Sequence, residues 1–329
     1  MSKKVVITGG AGFIGSNFLR FMINKYPNYK FVNIDKLTYS GNKENLKDLE
    51  QKVNYSFFQE DICNKKAMAE IIQEGDVVVN FAAESHVDNS ILDPNIFITT
   101  NVLGTQILLD VAREKKANLF IQISTDEVYG SLNFDQQSSK EEDPLLPSSP
   151  YSASKAAAEM LCMANFRTFN QPIIITRSSN NFGPYQFPEK IIPLFTTNLL
   201  TGKKVPLYGK GKNVRDWIYV LDNCEAIDHI INEGKPGEVY NIGGGNELRN
   251  IDLTKAIIEK MEKDESFIEH VQDRLGHDLR YSLDCSKIKS IGWNPKFNFQ
   301  EALSETLDWY KNNKFWWEPL KNTKDKRIS

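Results

Sequence analysis

Cysteine is scarce in this chain: Cys63, Cys162, Cys224 and Cys285 are the only four, each about sixty residues or more from the next. That spacing excludes a disulfide framework and the paired CxxC spacing of a zinc site, so reduced thiols and no metal are expected. Long apolar runs are also missing. No stretch approaches the roughly 18 residues that cross a bilayer, and the opening MSKKVVITGG enters a strand-like run without a signal-peptide core. A cytoplasmic protein with no membrane partner is the expectation. Nor is either charge in surplus, since 40 Lys and Arg stand against 43 Asp and Glu, a net charge of −3. Nothing in that balance favours nucleic acid, so an anionic ligand has to be held locally. Internal repeats and low-complexity segments are absent as well.

What is present is alternation. The apolar runs KVVITG, KFVNID, NYSFFQED, DVVVNFAA, LFIQIST and PIIITRSS are separated by amphipathic stretches such as IGSNFLRFMINKY and NVLGTQILLDVAREKK. Continuous apolar strands with helices between them predict an α/β fold, a Rossmann-type doubly wound parallel sheet covered on both faces. Ligands bind such sheets beyond the carboxyl ends of the strands, where Thr8, Asp35, Asp61, Ala83, Thr125 and Ser178 fall. After Phe182 the prolines Pro184, Pro188, Pro193 and Pro206 break the pattern, and short strands (VRDWIYV, EVYNIGGG) predict a smaller α/β domain interleaved with the first. The expected division is 1–181 with a contribution from 214–246, then 182–321, then a frayed polar tail, 322–329.

The run VVITGGAGFIGSNFLRF joins a strand to a helix through Gly10, Gly12 and Gly15 in G-x-G-x-x-G spacing, and Gly9, Gly12 and Gly15 also fit G-x-x-G-x-x-G. Glycines there let a backbone approach a pyrophosphate, and the helix N-terminus supplies N–H groups and partial positive charge. Asp35 ends the second strand 20 residues past Gly15, where a carboxylate accepts from ribose hydroxyls and repels a 2′-phosphate. That favours NAD over NADP; a structural turn and a surface aspartate is the alternative. Asp61 either faces the adenine or caps a helix.

Tyr151 and Lys155, in PYSASKAAAEMLC, are four residues apart on a predicted helix and share a face. An ammonium beside a phenol lowers its pKa and makes it a usable base, although the same spacing arises by chance on helix surfaces. At another strand end, STDEVYG sets Thr125, Asp126 and Glu127 together. They read either as a helix cap with acids on the dipole or as active-site groups. The second reading is favoured because a polar loop, LNFDQQSSKEEDP, follows in place of an amphipathic helix.

Taken jointly, TGGAGFIGSNF, NIDKLTYSGN, FAAESHVDNSI, STDEVYG, SPYSASKAAAE, SNNFGPYQFPEKIIPL, YGKGKNVRDWIYV and YNIGG resemble the dTDP-glucose 4,6-dehydratases, a family of extended short-chain dehydrogenases/reductases, over nearly the whole chain. The resemblance implies a bound NAD, a smaller domain for a nucleotide-sugar substrate and a homodimer built through a helix bundle. It assigns Tyr151 and Lys155 to oxidation, Thr125 to a hydrogen bond on the sugar hydroxyl, Asp126 to acid and Glu127 to base. Besides the glycines, it matches Phe13, Ile14, Asp35, Lys36, Leu37, Thr38, Asp61 and Ile62 to the cofactor. Phe81, Ala82, Ala83, Glu84, Ser85, Thr100 and Asn181 match it too, with Tyr151 and Lys155.

For the nucleotide-sugar it implies Ser85, Thr125, Asn180, Lys190, Ile191, Ile192, Pro193, Leu194 and Phe195. Pro206, Leu207, Tyr208, Arg215, Asn250, Asp273, Arg274 and His277 complete that set. Leu275 departs from the family's usual proline. Arg215 either clamps a diphosphate or pairs with Asp216, His86 either orients the sugar or is structural, and the aromatic run FWWEPL is expected in packing or an oligomer contact. The rival enzyme is a nucleotide-sugar 4-epimerase, which shares the redox residues but needs no base at C5; a dehydratase of UDP- or GDP-sugars and a non-catalytic NAD sensor are further alternatives.

Overall fold

The computed structural model describes residues 3–273 and 276–324. Arg274, Leu275 and the end of the expected tail, 325–329, lie outside the described residues. The tail boundary moves, because a helix spans Lys314–Lys324 and takes in 322–324.

Six strands come first in the chain: β1 (Lys4–Thr8), β2 (Lys30–Ile34), β3 (Tyr55–Phe58), β4 (Val77–Asn80), β5 (Leu119–Thr125) and β6 (Ile173–Ser178). Then follow β7 (Asn180–Phe182), β8 (Val205–Tyr208), β9 (Val214–Tyr219), β10 (Val239–Ile242), β11 (Glu247–Arg249) and β12 (Ile268–Val271). The main sheet runs β10-β6-β5-β4-β1-β2-β3, and every pairing in it is parallel. Residues of β4, β5 and β6 are buried throughout, which is why those segments read as unbroken apolar runs. Order reverses between β1 and β4, and a crevice opens beyond their carboxyl ends, as doubly wound sheets require. Near that edge Thr8 Oγ1 donates to Asn80 Oδ1 at 2.6 Å and Asn80 Nδ2 to Gln122 Oε1 at 2.9 Å, tying the ends of β1 and β4 to the middle of β5.

The later strands form two small sheets, β11-β9-β7 and β12-β8, while β10 returns to the large one. The two parts are therefore interleaved along the chain. The helix Pro150–Phe169 is sharply started: Ser149 and Ser152 form a reciprocal capping box, Pro150 takes the first turn, and Asn170 closes the end in a left-handed conformation. That fixed start sets the height of Tyr151 and Lys155 over β5. The expected helix of NVLGTQILLDVAREKK is α-helical only from Thr105, with a π-helical stretch, Ile98–Gly104, before it. Within that stretch Asn101 bonds both backbone groups of Glu84 and the Ser154 hydroxyl, joining the loop after β4 to the Tyr151 helix.

Candidate active site

A cleft of about 470 Å³ runs along the carboxyl edge of the sheet, with the glycine turn at one end and the smaller domain at the other. At the glycine end the helix Phe13–Lys25 begins at Gly12 without a side-chain cap, and Phe13, Ile14 and Gly15 line the wall. A Cβ on Gly15 would lie 2.4 Å from Gly9 O, and one on Gly9 (φ +71°) would lie 2.6 Å from Ala82 N. Only bare backbone fits there, which is the cradle a pyrophosphate needs. Asp35 accepts from Ala11 N and Leu37 N, both at 2.8 Å, while burial pushes its carboxyl up against those two bonds. Lys36 is paired with Asp61 at 2.6 Å, so the nearby cation is already matched by a carboxylate. Asp61 lines the cleft, and the following helix, Lys65–Ile71, is capped by Asn64.

Phe81–Ser85, Thr100, Tyr151 and Lys155 form the middle of the cleft beside Thr125, Asp126 and Glu127. Thr125 does cap a helix, accepting from Glu127 N at 3.3 Å, but that helix is the single 3₁₀ turn Asp126–Tyr129. The cap is real, and the same turn places two acids on the cleft wall. The acids differ in surroundings. Asp126 is buried, accepts from Thr125 Oγ1 at 3.2 Å through Oδ1, and has no partner at Oδ2 among the described residues, whereas Glu127 is half-buried. Burial, then the Glu127 charge, pushes the Asp126 carboxyl well above its ordinary value, with Arg215 pulling the other way.

Asp126→Asn is therefore expected to raise the melting temperature at neutral pH. A carboxyl whose folded pKa exceeds its unfolded one binds its proton better when folded. It lowers stability as pH climbs past the unfolded value, and that cost persists at neutrality. Melting curves should show the gain at pH 7 and none below about pH 3, where both states are protonated; a lower melting temperature at pH 7 would contradict the upward shift of this buried carboxyl.

The expected lowering of the Tyr151 phenol by Lys155 is not what these side chains produce alone. Lys155 Nζ donates to Ile123 O at 2.5 Å, and burial brings its pKa down to about 8. Burial followed by the Glu127 and Asp126 charges pushes the phenol up instead.

A buried guanidinium links the Tyr151 helix to the Asp126–Tyr129 turn. Arg177 on β6 bonds Glu159, on the Tyr151 helix, through Nε and through Nη2 at 2.7 Å, and its Nη1 donates to the hydroxyl of Tyr129, in the turn of Asp126 and Glu127, at 2.6 Å.

Toward the smaller domain, Asn180, Asn181, Lys190, Ile191, Leu194, Phe195, Pro206, Leu207, Tyr208, Arg215, Asn250 and His277 line the cleft. Asn180 Oδ1 and Asn250 Oδ1 are buried without a partner among the described residues. Arg215 is not paired with Asp216, which accepts from Gly244 N and Asn246 N; its guanidinium bonds Val214 O and Asp278 O and stacks over Tyr281 at 4.2 Å. Five proposed positions lie off the wall: Gly10, Leu37, Ile192, Pro193 and Asp273. A Cβ on Gly10 would meet the Asn33 side chain at 2.2 Å, so that glycine serves packing on β2. Helix geometry explains Ile192 and Pro193, because 191, 194 and 195 share the cleft-facing side and 192 and 193 turn into the protein. Asp273 holds His277 Nδ1 at 2.6 Å. His86 caps the helix Val87–Leu92 and also lines the cleft, 3.8 Å from Glu189. Sequence reasoning missed Gln186, Phe187, Glu189, Trp217 and Tyr281 on the wall; the first three stand inside the quoted SNNFGPYQFPEKIIPL, and Tyr281 carries no local signal.

The family model of GDP-mannose 4,6 dehydratase matches residues 6–306. The dTDP-glucose 4,6-dehydratase of Streptomyces niveus is 45% identical over 324 residues, 97% of this chain and 96% of its own. A crystal structure of DesIV, the dTDP-glucose 4,6-dehydratase of Streptomyces venezuelae, with NAD bound, is 45% identical with a TM-score of 0.94, over 96% of this chain and 99% of that one. UDP-glucose 4-epimerase of Thermotoga maritima, solved with UDP-glucose, reaches a TM-score of 0.87 at 29% identity, over 94% of this chain and 99% of that one. The shared fold alone thus accommodates both reactions.

Proposed function

The chain belongs to the dTDP-glucose 4,6-dehydratases of the extended short-chain dehydrogenase/reductase superfamily, and on that premise we propose how its own residues divide the work. It converts dTDP-glucose to dTDP-4-keto-6-deoxyglucose and water, with NAD as resident cofactor. The pair that carries this reading is Asp126 beside Glu127, one acid buried and raised, the other more open, at the cleft that Tyr151 and Lys155 also line.

Gly9, Gly12 and Gly15 would hold the pyrophosphate of NAD on bare backbone, and Asp35 would accept from its adenosine ribose. When bound it supplies the acceptor that keeps the C4 hydrogen with its electron pair and gives it back to C6, and its ring charge favours the phenolate. Tyr151 takes the proton of the C4 hydroxyl while Thr125 holds that oxygen. The 4-ketone makes the C5 hydrogen acidic, and Glu127 removes it. Asp126, kept protonated by burial, donates to the departing C6 hydroxyl, which leaves as water. Glu127 returns its proton to C5, and Tyr151 gives up the C4 hydroxyl proton to solvent while Asp126 takes one back from it, so atoms balance with the loss of one water and the side chains and cofactor are restored. Lys155, bonded to the backbone beneath, is a buried positive charge on the oxidation side.

Residues 1–181 with 214–246 serve NAD, and 182–321 mainly serve the nucleotide-sugar, where Arg215 has donors left for a diphosphate. An apolar face supports a homodimer: Ile91, Leu92, Ile96, Ile98, Leu103 and Met160 are exposed on neighbouring helices, Leu92 at 83%. A sedimentation mass of one chain would contradict it. Among the described residues no helix is long and apolar enough to cross a membrane. The cytoplasm is the compartment that suits four unpaired thiols.

Incubation of the protein with dTDP-, UDP- and GDP-glucose, followed by assay for a 4-keto-6-deoxy product, tests the reading. Product from dTDP-glucose and extracted NAD are expected; a 4-epimer, or extracted NADP, would overturn it.

A further inference from the structure

The aromatic run FWWEPL, Phe315–Leu320, has no part in the chemistry above. Phe315 is exposed, whereas Trp316 and Trp317 are buried against Tyr310, Tyr185, Trp309 and Leu320. An indole has one donor and no acceptor. Trp317 spends its donor locally, on Tyr310 O at 2.8 Å. Trp316 donates across the fold to Asn45 Oδ1 at 2.7 Å.

Asn45 is buried, and its Nδ2 donates to Ala11 O at 2.8 Å, inside the glycine turn. Ala11 N then donates to Asp35 Oδ2 at 2.8 Å. Because Trp316 can only donate, it fixes the carbonyl end of the Asn45 amide toward itself and so turns the NH₂ end onto Ala11 O. One line of hydrogen bonds therefore runs from the C-terminal helix to the turn and to its acidic neighbour. Arg20 braces the same point by stacking over Tyr185 at 4.0 Å and donating to Asn45 O.

We propose that Trp316 is a positioning residue for the dinucleotide: it orients Asn45, which holds the glycine turn in the shape that receives the pyrophosphate. The inference rests on the assignment of NAD to that turn. Its sequence distance, 271 residues between the bonded side chains, makes the C-terminal helix part of the cofactor site without touching the cofactor.

The test is NAD affinity by calorimetry on the full-length protein stripped of nucleotide, with thermal melts of the same samples. Trp316→Phe and Asn45→Ala should each weaken NAD at least about fivefold, and the double variant should be no worse than Asn45→Ala alone, because one line is cut twice. Trp317→Phe should melt at a lower temperature and bind NAD as the unsubstituted protein does. Unchanged affinity in Trp316→Phe, additive penalties in the double variant, or equal weakening by Trp317→Phe would each overturn the proposal. If Trp316→Phe does not fold, Asn45→Ala decides, since the indole reaches the turn through Asn45; unchanged affinity there overturns the relay. An unsubstituted protein that binds no NAD would overturn the assignment of the turn instead.

Discussion

Glu127→Gln is expected to reduce bound NAD when given dTDP-glucose and yet to release product about 10²–10⁴-fold more slowly than the unsubstituted protein. Glutamine keeps the shape but cannot take the C5 proton, so the reaction stops after C4 oxidation. The first half should not suffer. Glu127 is the largest charge holding the Tyr151 phenol up, after burial, so removing it makes the phenol easier to ionise. It also raises the Asp126 carboxyl, so Asp126 becomes a less well protonated acid in the same variant. Both shifts push one way: oxidation is spared and elimination is weakened. Stopped-flow absorbance of the reduced nicotinamide, set beside product release, separates the two halves; unchanged product release would remove Glu127 from the role of base.

Glu159→Gln should cost about 3–5 kcal/mol of stability, because it leaves the Arg177 guanidinium buried without its counter-charge. The side chains of Arg177 and Glu159 are 1% and 0% exposed, so water cannot substitute. Tyr129 and Glu141 O still accept from Arg177, but neither carries a compensating charge. A drop of roughly 5–10 °C in melting temperature is the expected reading. Replacing both partners, as Glu159→Leu with Arg177→Met, should recover much of that loss, since apolar pairs of similar volume often substitute well for buried ion pairs. A single variant that melts with the unsubstituted protein would show that the pair contributes nothing. The network matters to function because it spans the helix of Tyr151 and the turn of Asp126.

Much of this was legible in order along the chain. The strand and helix alternation, the turn at Gly9 to Gly15, Asp35 twenty residues on, and Tyr151 with Lys155 are local patterns whose spacing follows from backbone geometry, and of the singled-out residues among them all but Gly10 line the cleft, Ala11 lying behind it. What local spacing could not carry was set by packing. Asn101, Arg177 and Trp316 act through partners 17, 18 and 271 residues away. The direction of the Tyr151 shift was hidden for the same reason: spacing brings an ammonium near in sequence, but burial and two carboxylates brought in by another strand end outweigh it. Family resemblance extended the reading into the smaller domain, where Ile192, Pro193 and Asp273 lie off the cleft wall, the first two because a helix cannot present consecutive residues to one side.

The central claim is that elimination is inserted between an oxidation at C4 and a reduction at C6 within one bound sugar. Giving the full-length protein dTDP-glucose deuterated at C4 and locating the label by NMR tests it most directly. The account predicts deuterium in the C6 methyl group of a 4-keto-6-deoxy product. Deuterium restored to C4, in a sugar that has kept its C6 hydroxyl, would mean that the site epimerises and that Asp126 and Glu127 have been assigned the wrong work.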